Sequence, residues 1–394
     1  MLDIIKLLEK ETKHKCYKSY KYCVDSEPTI SGLQYEESQS FTLLKDRYGE
    51  DDHSLKSTKD MTELASLLHG QQSIFRYFLD GSRKAYKIDD IEVNKRVFPI
   101  IAGQVSVACC ERSDEGKFHS KIFENSLVVA LPSEANPEVL NPKLFYNKLA
   151  SSINSLGTLK KLGLYVSNVY GYDSKRSTDS DKSKYESLGI ACVQDEMTEY
   201  EKKVVSSLAN KNLLSNESYL LKDGSLQYKI NKTSNYQELS KIKNNFRWVV
   251  GVSKLFNPEF SKDRSGKSNA AALASLPLFH RTPAYMFQHD PDKWSYLGDH
   301  KYCVWYIRIR ESKYTASPFS GIVKVEKLLI TEKENNDGID SDVVDNISAS
   351  IINERNPVCY GKDSRWANHL YPVHVTEMFL KSNFLSDTYF LNLF

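Results

Sequence analysis

Two copies of the tripeptide Asp-Gly-Ser stand at residues 80–82 and 223–225, and each follows a short apolar run. Aromatic and aliphatic runs bounded by a turn signal are typical of buried strands, so Asp80 and Asp223 would each close a strand. Two carboxylates that meet at strand ends suit a hard divalent cation such as Mg²⁺ or Mn²⁺, which prefers oxygen ligands. The alternative is that both tripeptides are only turns, because glycine adopts positive φ at no steric cost.

The segments around the tripeptides indicate a mixed α/β chain. Residues 1–70 are polar with intermittent helical spacing, and we expect a peripheral helical segment there, followed by one larger domain over residues 71–394. Apolar, β-rich segments end at Asp80 and cover residues 96–110 and 125–131. Three such segments in succession predict an antiparallel meander.

Helices and further strands are predicted after the meander. Helical spacing of apolar residues predicts helices over residues 142–156 and 195–208, and the wholly polar stretch 173–184 predicts an inserted loop. The elements expected after Asp223 are a helix over 237–242, a strand over 246–254, a hairpin of strands 303–310 and 321–330, an acidic loop over 332–345, a helix over 343–352 and a final helix from Pro372.

This order of elements is that of a ribonuclease H-like mixed sheet flanked by helices, in which a third carboxylate comes from the helix after the meander. In the helix 195–208, Glu201 lies between apolar residues of one face, whereas Glu196 and Glu199 are less central. A carboxylate on an apolar face is unfavourable unless it is paired or binds a metal. Glu201 is therefore the candidate; the alternative is a glutamate at the edge of that face that turns outward.

Asp80, Glu201 and Asp223 are thus predicted to bind two Mg²⁺ or Mn²⁺ ions. Two ions roughly 3.5–4 Å apart activate a water and stabilise the leaving oxygen during in-line attack on a phosphodiester. The protein then needs no nucleophile of its own.

The final helix adds polar groups to this hypothesis. It contains Tyr371, His374 and Glu377, and the last two lie one turn apart on the same face. Either His374 or Glu377 can complete the metal site or act on the scissile phosphate. The alternative for the histidine is a structural position.

Several basic residues are candidates for contact with nucleic acid. Lys254 ends the strand 246–254 beside the predicted carboxylates and can hold a phosphate, although a solvated lysine is the alternative. Arg281, Arg308 and Arg310 can contact the nucleic-acid backbone.

Composition excludes other classes of protein. Lys and Arg number 53 against 51 Asp and Glu, so any surface for nucleic acid must come from local segregation of charge. The seven cysteines contain no CxxC pair and indicate reduced thiols. Residues 261–268 resemble the end of a P-loop, but serine stands at 261 where glycine is required, so no ATPase motif is present. The first residues resemble an amphipathic helix rather than a signal peptide, and no apolar stretch approaches the roughly 18 residues of a membrane span, so we expect a cytoplasmic protein.

Six short phrases of the sequence resemble NurA nucleases, and the resemblance spans residues 73–394. They are FLDGSR at 78–83, PIIAGQ at 99–104, YEKK at 200–203, LKDGSL at 221–226, VGVSK at 250–254 and YPVH at 371–374. The resemblance implies a ribonuclease H-like fold related to Piwi domains, a homodimer that encloses a channel, Mn²⁺-dependent cutting of DNA, and a hexameric HerA-type ATPase as partner. It also implies functional positions for Tyr371 and His374, although the family's histidine usually lies farther past the tyrosine, close to Glu377.

We therefore expect a metal-dependent deoxyribonuclease that works with a HerA-type translocase in DNA end processing or anti-phage defence. The absence of a P-loop agrees with a motor supplied by another protein. One alternative is a non-catalytic subunit that binds DNA or caps a partner complex. Another is a Piwi-like guide-binding protein, which the short N-terminal segment disfavours.

Overall fold

A single large mixed sheet organises the molecule. The computed structural model describes residues 3–25, 41–138, 141–175, 182–227, 236–263, 265–289, 300–315, 317–357 and 366–394. Within these ranges the sheet has 14 strands and is flanked by helices. No helix in the described part of the chain is both long enough and apolar enough to cross a membrane.

The strands are β1 (Cys16–Tyr17), β2 (Tyr22–Cys23), β3 (Phe41–Tyr48), β4 (Lys59–Asp60), β5 (Phe75–Val93), β6 (Arg96–Arg112), β7 (Phe118–Pro132), β8 (Val166–Tyr172), β9 (Tyr219–Asp223), β10 (Val249–Ser253), β11 (His280–Arg281), β12 (Tyr285–His289), β13 (Lys301–Arg308) and β14 (Ile322–Leu328). The α-helices are α1 (Asp3–Thr12), α2 (Thr62–Leu68), α3 (Pro142–Asn154), α4 (Gly157–Lys161), α5 (Lys182–Asn210), α6 (Tyr236–Asn245), α7 (Ala270–Ala274), α8 (Glu332–Asp337), α9 (Ser341–Asn353), α10 (Tyr371–Ser382) and α11 (Asp387–Leu391). Short 3-10 helices cover Ser133–Ala135, Pro258–Phe260, Ser312–Tyr314 and Trp366–Asn368.

The main path through the sheet runs β3-β12-β13-β14-β10-β9-β5-β6-β7-β8. At its centre β5, β6 and β7 form the predicted antiparallel meander. On the other side of β5, β9 and then β10 run parallel to it, and β14 is antiparallel to β10. The parallel strands β9 and β10 are short and almost wholly buried, as expected for strands covered on both faces.

The first 70 residues are not helical throughout, which corrects the sequence prediction. They contain α1 and α2, but also four strands that pair with the rest of the chain. β1 and β2 pair with β5, β3 pairs with β12, and β4 pairs with β11. Strands whose partners lie far along the chain carry little local signal, and three of these four have only two residues, which is why periodicity alone missed them.

Two other predicted loops contain helices. The acidic run 332–345 forms α8 and the start of α9, because Thr331 and Glu334 make a capping box and Asp340 caps α9. The predicted loop 173–184 lies outside the described residues over 176–181, and α5 already begins at Lys182. The predicted helix 195–208 is thus the second half of a 29-residue helix.

Helices pack on the two faces of the central strands. α5 crosses β5, β6, β7 and β8, whereas α10 lies against β5, β6 and β9. Successive residues of a strand point to opposite faces. In β5, Gly81 therefore points to the side of α5, which we call the α5 face, and Asp80 points to the opposite side, the α10 face.

Candidate metal centre

Asp80 and Asp223 lie side by side where β5 and β9 separate. The parallel register pairs Leu79 with Lys222, so the next residue of each strand is the aspartate. Alternation turns both side chains to the α10 face. The prediction that the strand closes at Asp80 is wrong. β5 continues to Val93, because β6 stays paired with it.

Glu377 of α10 joins the two aspartates. One carboxylate oxygen from each of Asp80, Asp223 and Glu377 lies within 4.8 Å of the other two. Asp80 and Glu377 are buried, at 5% and 8% exposure, whereas Asp223 is partly exposed, so the group opens on the side of Asp223. Three convergent carboxylates are the oxygen ligands that Mg²⁺ and Mn²⁺ prefer. We call these three residues the carboxylate group.

Lys254, which follows β10, is buried against the carboxylate group. Its Nζ lies 2.9 Å from Oδ2 of Asp223 and 3.2 Å from Oε2 of Glu377. Burial lowers the pKa of this ammonium, but the carboxylates of Asp223, Glu377 and Asp80 outweigh it and the net shift is upward. Lys254 therefore stays protonated and is not the solvated lysine that the sequence left as an alternative.

Asp80 is a carboxyl that is hard to ionise. Burial raises its pKa, the neighbouring Asp223 raises it further, and Lys254 opposes them only in part, so that the pKa lies well above its usual range. A buried acid close to other carboxylates keeps its proton unless a cation balances its charge.

Glu201 points inward from α5, as predicted, but towards the α5 face. Its Oε2 lies 3.1 Å from Nζ of Lys222, a buried lysine that alternation places on the same face. A Cβ on Gly81 would lie 2.7 Å from Oε1 of Glu201, so the absence of a side chain at Gly81 leaves room for this oxygen. Burial raises the pKa of Glu201 and Lys222 opposes this. Glu201 is therefore close to Asp80 without belonging to the carboxylate group.

The turn after β9 is fixed by a buried glutamate of β14. Gly224 has φ of +82°, the left-handed region that favours glycine. Glu326 accepts hydrogen bonds from the Ser225 hydroxyl and the Leu226 amide, both at 2.8 Å, and from the Gln227 side chain at 2.9 Å. This network fixes the backbone that carries Asp223.

His374 lies beside the carboxylate group and Tyr371 begins the same helix, but neither is part of the group. Tyr371, at the start of α10, is 44% exposed and packs edge to face on Phe118, with ring centroids 6.0 Å apart. His374 is half-buried and stacks on His369, with centroids 4.7 Å apart. One ligand atom from each of His369, His374 and Glu377 also lies within 4.8 Å of the other two.

Two of the predicted nucleic-acid contacts are wrong, because the side chains are inside the fold. Arg281 has no exposed surface and pairs with Glu50 at 2.7 Å and Asp345 at 2.6 Å. Arg308 is also buried, and its guanidinium donates to backbone carbonyls of Leu273, Ala274, Leu276, Pro318 and Ser320. Neither guanidinium reaches a phosphate outside the protein.

The predicted hairpin is present as β13 and β14. Lys324 and Lys327 of β14 are both buried. Arg310, just after β13, is half-buried and donates to the backbone carbonyl of Asn356. Contact of Arg310 with nucleic acid stays a prediction.

Sequence reasoning missed Lys222, Glu326 and His369. Lys222 interrupts an apolar strand, and a charged residue at such a position indicates a buried partner of opposite charge. Glu326 is one of three charged residues in β14 and carried no such signal. His369 carried a weaker signal, since it lies five residues before His374 and outside the helix.

No protein-family model matches the sequence, and no curated protein matches it. Among solved structures, the chain matches the crystal structure of the NurA nuclease from Sulfolobus solfataricus with a TM-score of 0.37 and 10% identity. The match covers 77% of this chain and 78% of that chain. At this identity the likeness concerns the fold alone.

Proposed function

We propose that this protein is a divalent-metal-dependent nuclease that hydrolyses phosphodiester bonds of DNA. The observation that carries the proposal is the carboxylate group, in which three oxygens approach within 4.8 Å of one another beside two buried lysines. Carboxylates gathered at this density need a cation to balance them.

The charges around the group fit one divalent cation. Four carboxylates surround two buried ammonium groups: Asp80, Glu201, Asp223 and Glu377 with Lys222 and Lys254. When all are ionised, a formal excess of two negative charges remains, which equals the charge of Mg²⁺ or Mn²⁺. Lys381 pairs with Glu377 at 2.7 Å, but its side chain is 55% exposed and solvent screens its charge. The raised pKa of Asp80 is the expected sign of this excess.

Asp80, Asp223 and Glu377 would hold the cation. A bound divalent cation polarises the phosphodiester and lowers the pKa of a coordinated water. Lys254 keeps a protonated ammonium beside Asp223 and Glu377, where it is suited to bind a non-bridging phosphate oxygen. Tyr371 presents an exposed ring at the start of the same helix, which is suited to contact a sugar or a base.

Strand order supports a ribonuclease H-like fold, related to Piwi domains, as the framework of this site. The meander β5-β6-β7 is followed by β9 parallel to β5 and β10 parallel to β9. These five strands have the order that the sequence-based hypothesis requires. Asp80 and Asp223 then correspond to its first-strand and fourth-strand carboxylates.

Partners and setting are proposed from the sequence resemblance alone. We propose a cytoplasmic homodimer that acts on DNA with a HerA-type hexameric ATPase, in DNA end processing or anti-phage defence. We also propose that the site binds two ions, and that Glu201, His374 and Tyr371 contribute directly to metal binding or to catalysis.

The test is cleavage of linear double-stranded and single-stranded DNA by the purified chain. We expect cleavage with Mn²⁺ or Mg²⁺, none with a chelator, and a loss of roughly 10³-fold or more in Asp80→Asn and Asp223→Asn, since the cation contributes several kcal/mol to the transition state. Asp90→Asn is the matched control, because Asp90 is on the same strand and pairs with Lys87 instead. Cutting that persists in both site variants contradicts the proposal.

Lys254 favours a second candidate function. Its ammonium already lies between Asp223 and Glu377, as a cation would. A chain in which this lysine replaces the metal would be a non-catalytic subunit that binds DNA or a partner. Calorimetric titration with Mn²⁺ separates the two: the nuclease binds the ion through Asp80 and Asp223, whereas the non-catalytic subunit binds DNA without it.

A further inference from the structure

A cluster of different chemistry adjoins the carboxylate group. His369, His374 and Glu377 each place one ligand atom within 4.8 Å of the other two. His369 and Glu377 are buried and His374 is half-buried. His374 and Glu377 lie one turn apart on α10, while His369 comes from the segment that leads into the helix.

The backbone holds His369 firmly in this position. The amide of Asn356 donates to the carbonyl of His369 at 2.9 Å. The preceding residue, Asn368, is buried and donates from its side chain to the carbonyls of Lys254 at 2.8 Å and Ile322 at 2.6 Å. The segment is thereby attached to the strand end that carries Lys254, so the histidines and the carboxylate group keep a fixed relation.

Two imidazoles and one carboxylate form a donor set that differs from the carboxylate group. Imidazole nitrogen suits Fe²⁺, Cu²⁺ and Zn²⁺, whereas Mg²⁺, Ca²⁺ and Mn²⁺ prefer oxygen ligands. Three such ligands with an open position are the composition of many catalytic metal sites.

Glu377 belongs to both clusters. Its Oε2 faces Lys254 at 3.2 Å and its Oε1 faces Lys381 at 2.7 Å. The two oxygens thus point to different neighbours, and a carboxylate arranged in this way can bridge two cations.

We propose that His369, His374 and Glu377 form a second cation position, selective for a transition metal over Mg²⁺, that shares Glu377 with the carboxylate group. The role of this position as the second ion site of a nuclease rests on the proposed function. Its ability to bind a metal does not, because binding is measured without DNA. His369 is then a ligand that no phrase of the sequence resemblance contains.

The experiment uses the full chain, stripped of metal and loaded with Cu²⁺ alone, a paramagnetic ion that imidazole suits. Pulsed electron paramagnetic resonance detects coupling to ¹⁴N when imidazole binds the ion. We expect nitrogen coupling in the wild type and in Asp223→Asn, and its loss in His369→Ala and His374→Ala. We also expect Zn²⁺ affinity to fall in the histidine variants by at least the roughly 10–100-fold that loss of an outer-shell partner costs.

His280→Ala is the matched control, because His280 lies outside the cluster and is near Asp60 and Thr58. It should keep the nitrogen coupling. Bound Cu²⁺ without nitrogen coupling in the wild type overturns the proposal, and so does coupling that His369→Ala leaves unchanged. If a histidine variant does not fold, the wild-type spectrum decides alone. If the protein shows nitrogen coupling but does not cut DNA, the proposed nuclease function is wrong and the proposed cation position is still supported.

Discussion

The first Asp-Gly-Ser tripeptide lies inside a 19-residue strand, whereas the second forms a turn at the end of a short one. Gly81 has extended backbone paired with β6, and its missing Cβ leaves space for Glu201 and Met197 of α5. Gly224 has φ of +82° and turns the chain back towards Glu326. The glycine of the first tripeptide is therefore needed for close packing against α5, and the glycine of the second is needed for a left-handed backbone conformation.

The two aspartates also balance their charge differently. Asp223 pairs directly with Lys254, whereas the pKa of Asp80 is raised by burial and by neighbouring carboxylates. On the opposite face, Lys222 serves Glu201 rather than either aspartate. The same substitution at the two tripeptides, or at the lysines beside them, should consequently have different effects on stability and cleavage.

The largest difference is expected from removing the two lysines. Lys222→Met leaves Glu201 buried without its partner and should cost roughly 3–5 kcal/mol of unfolding free energy. Lys254→Met should cost less, because Asp223 is partly exposed and Glu377 keeps Lys381. Saturating Mn²⁺ should restore the stability of Lys254→Met but not that of Lys222→Met, because the ion can take the place of the Lys254 ammonium. Chemical denaturation with and without Mn²⁺ measures both.

Lys327→Met is the matched control for these lysines. Lys327 is buried on β14, makes no ion pair within the described residues, and burial lowers its pKa to about 8. Its loss should cost about 1 kcal/mol or less, the value of its hydrogen bond to the Arg247 carbonyl. Equal losses in all three variants contradict the charge balance described above.

Alanine at the two glycines should separate packing from backbone strain. In Gly81→Ala the new Cβ would lie 2.7 Å from Oε1 of Glu201 and 3.0 Å from Cγ of Met197, so we expect the glutamate to move and cleavage to fall. Gly224→Ala should cost about 1–2 kcal/mol of stability because of its left-handed backbone. Thermal unfolding and cleavage rates measure the two effects.

Gly116→Ala provides the control for strain. Gly116 has φ of +77°, has nothing within 4 Å of an added Cβ, and lies in the turn between β6 and β7. Its stability loss should match that of Gly224→Ala without any loss of cleavage. Gly81→Ala with normal cleavage would show that the approach of Glu201 is unimportant.

The pH dependence of stability should distinguish the aspartates in the metal-free protein. The folded-state pKa of Asp80 is raised, so the folded chain binds an extra proton above the unfolded pKa of about 3.9. Stability from this proton is full at lower pH and is lost as the pH rises through the folded pKa. Asp80→Asn should remove that loss and raise the melting temperature at neutral pH.

Asp223→Asn should do the opposite at neutral pH, because it removes a partner of the buried Lys254. Melting curves from pH 4 to 8 with a chelator measure both variants. A wild type whose melting temperature does not depend on Asp80 anywhere in this range contradicts the expectation.

The smallest difference is expected at the serines. Ser225→Ala removes a hydrogen bond to buried Glu326 and should cost about 0.5–1.5 kcal/mol. The hydroxyl of Ser82 makes no hydrogen bond within the described residues, and Ser82→Ala should stay within about 0.5 kcal/mol of the wild type. Denaturant titration compares them, and equal losses would mean that the Glu326 network does not stabilise the turn.

Local pattern predicted those elements whose signal is contained in their own residues. The meander, α3 and the β13-β14 hairpin are predicted from the type and spacing of their apolar residues. The strands β1 to β4 were missed, because their pairing is set by distant partners. Arg281 was misread for the same reason, since Glu50, which pairs with it, is 231 residues away.

The sequence by itself determined which carboxylates are available to the site and that Asp80 and Asp223 follow apolar runs. Tertiary structure decided how they are used. The register of β5 and β9 sets the aspartates side by side, and strand alternation directs both to the α10 face, where Glu377 meets them. The same alternation puts Glu201 and Lys222 on the other face. Which face a residue occupies depends on register with a partner strand, and no single segment contains that information.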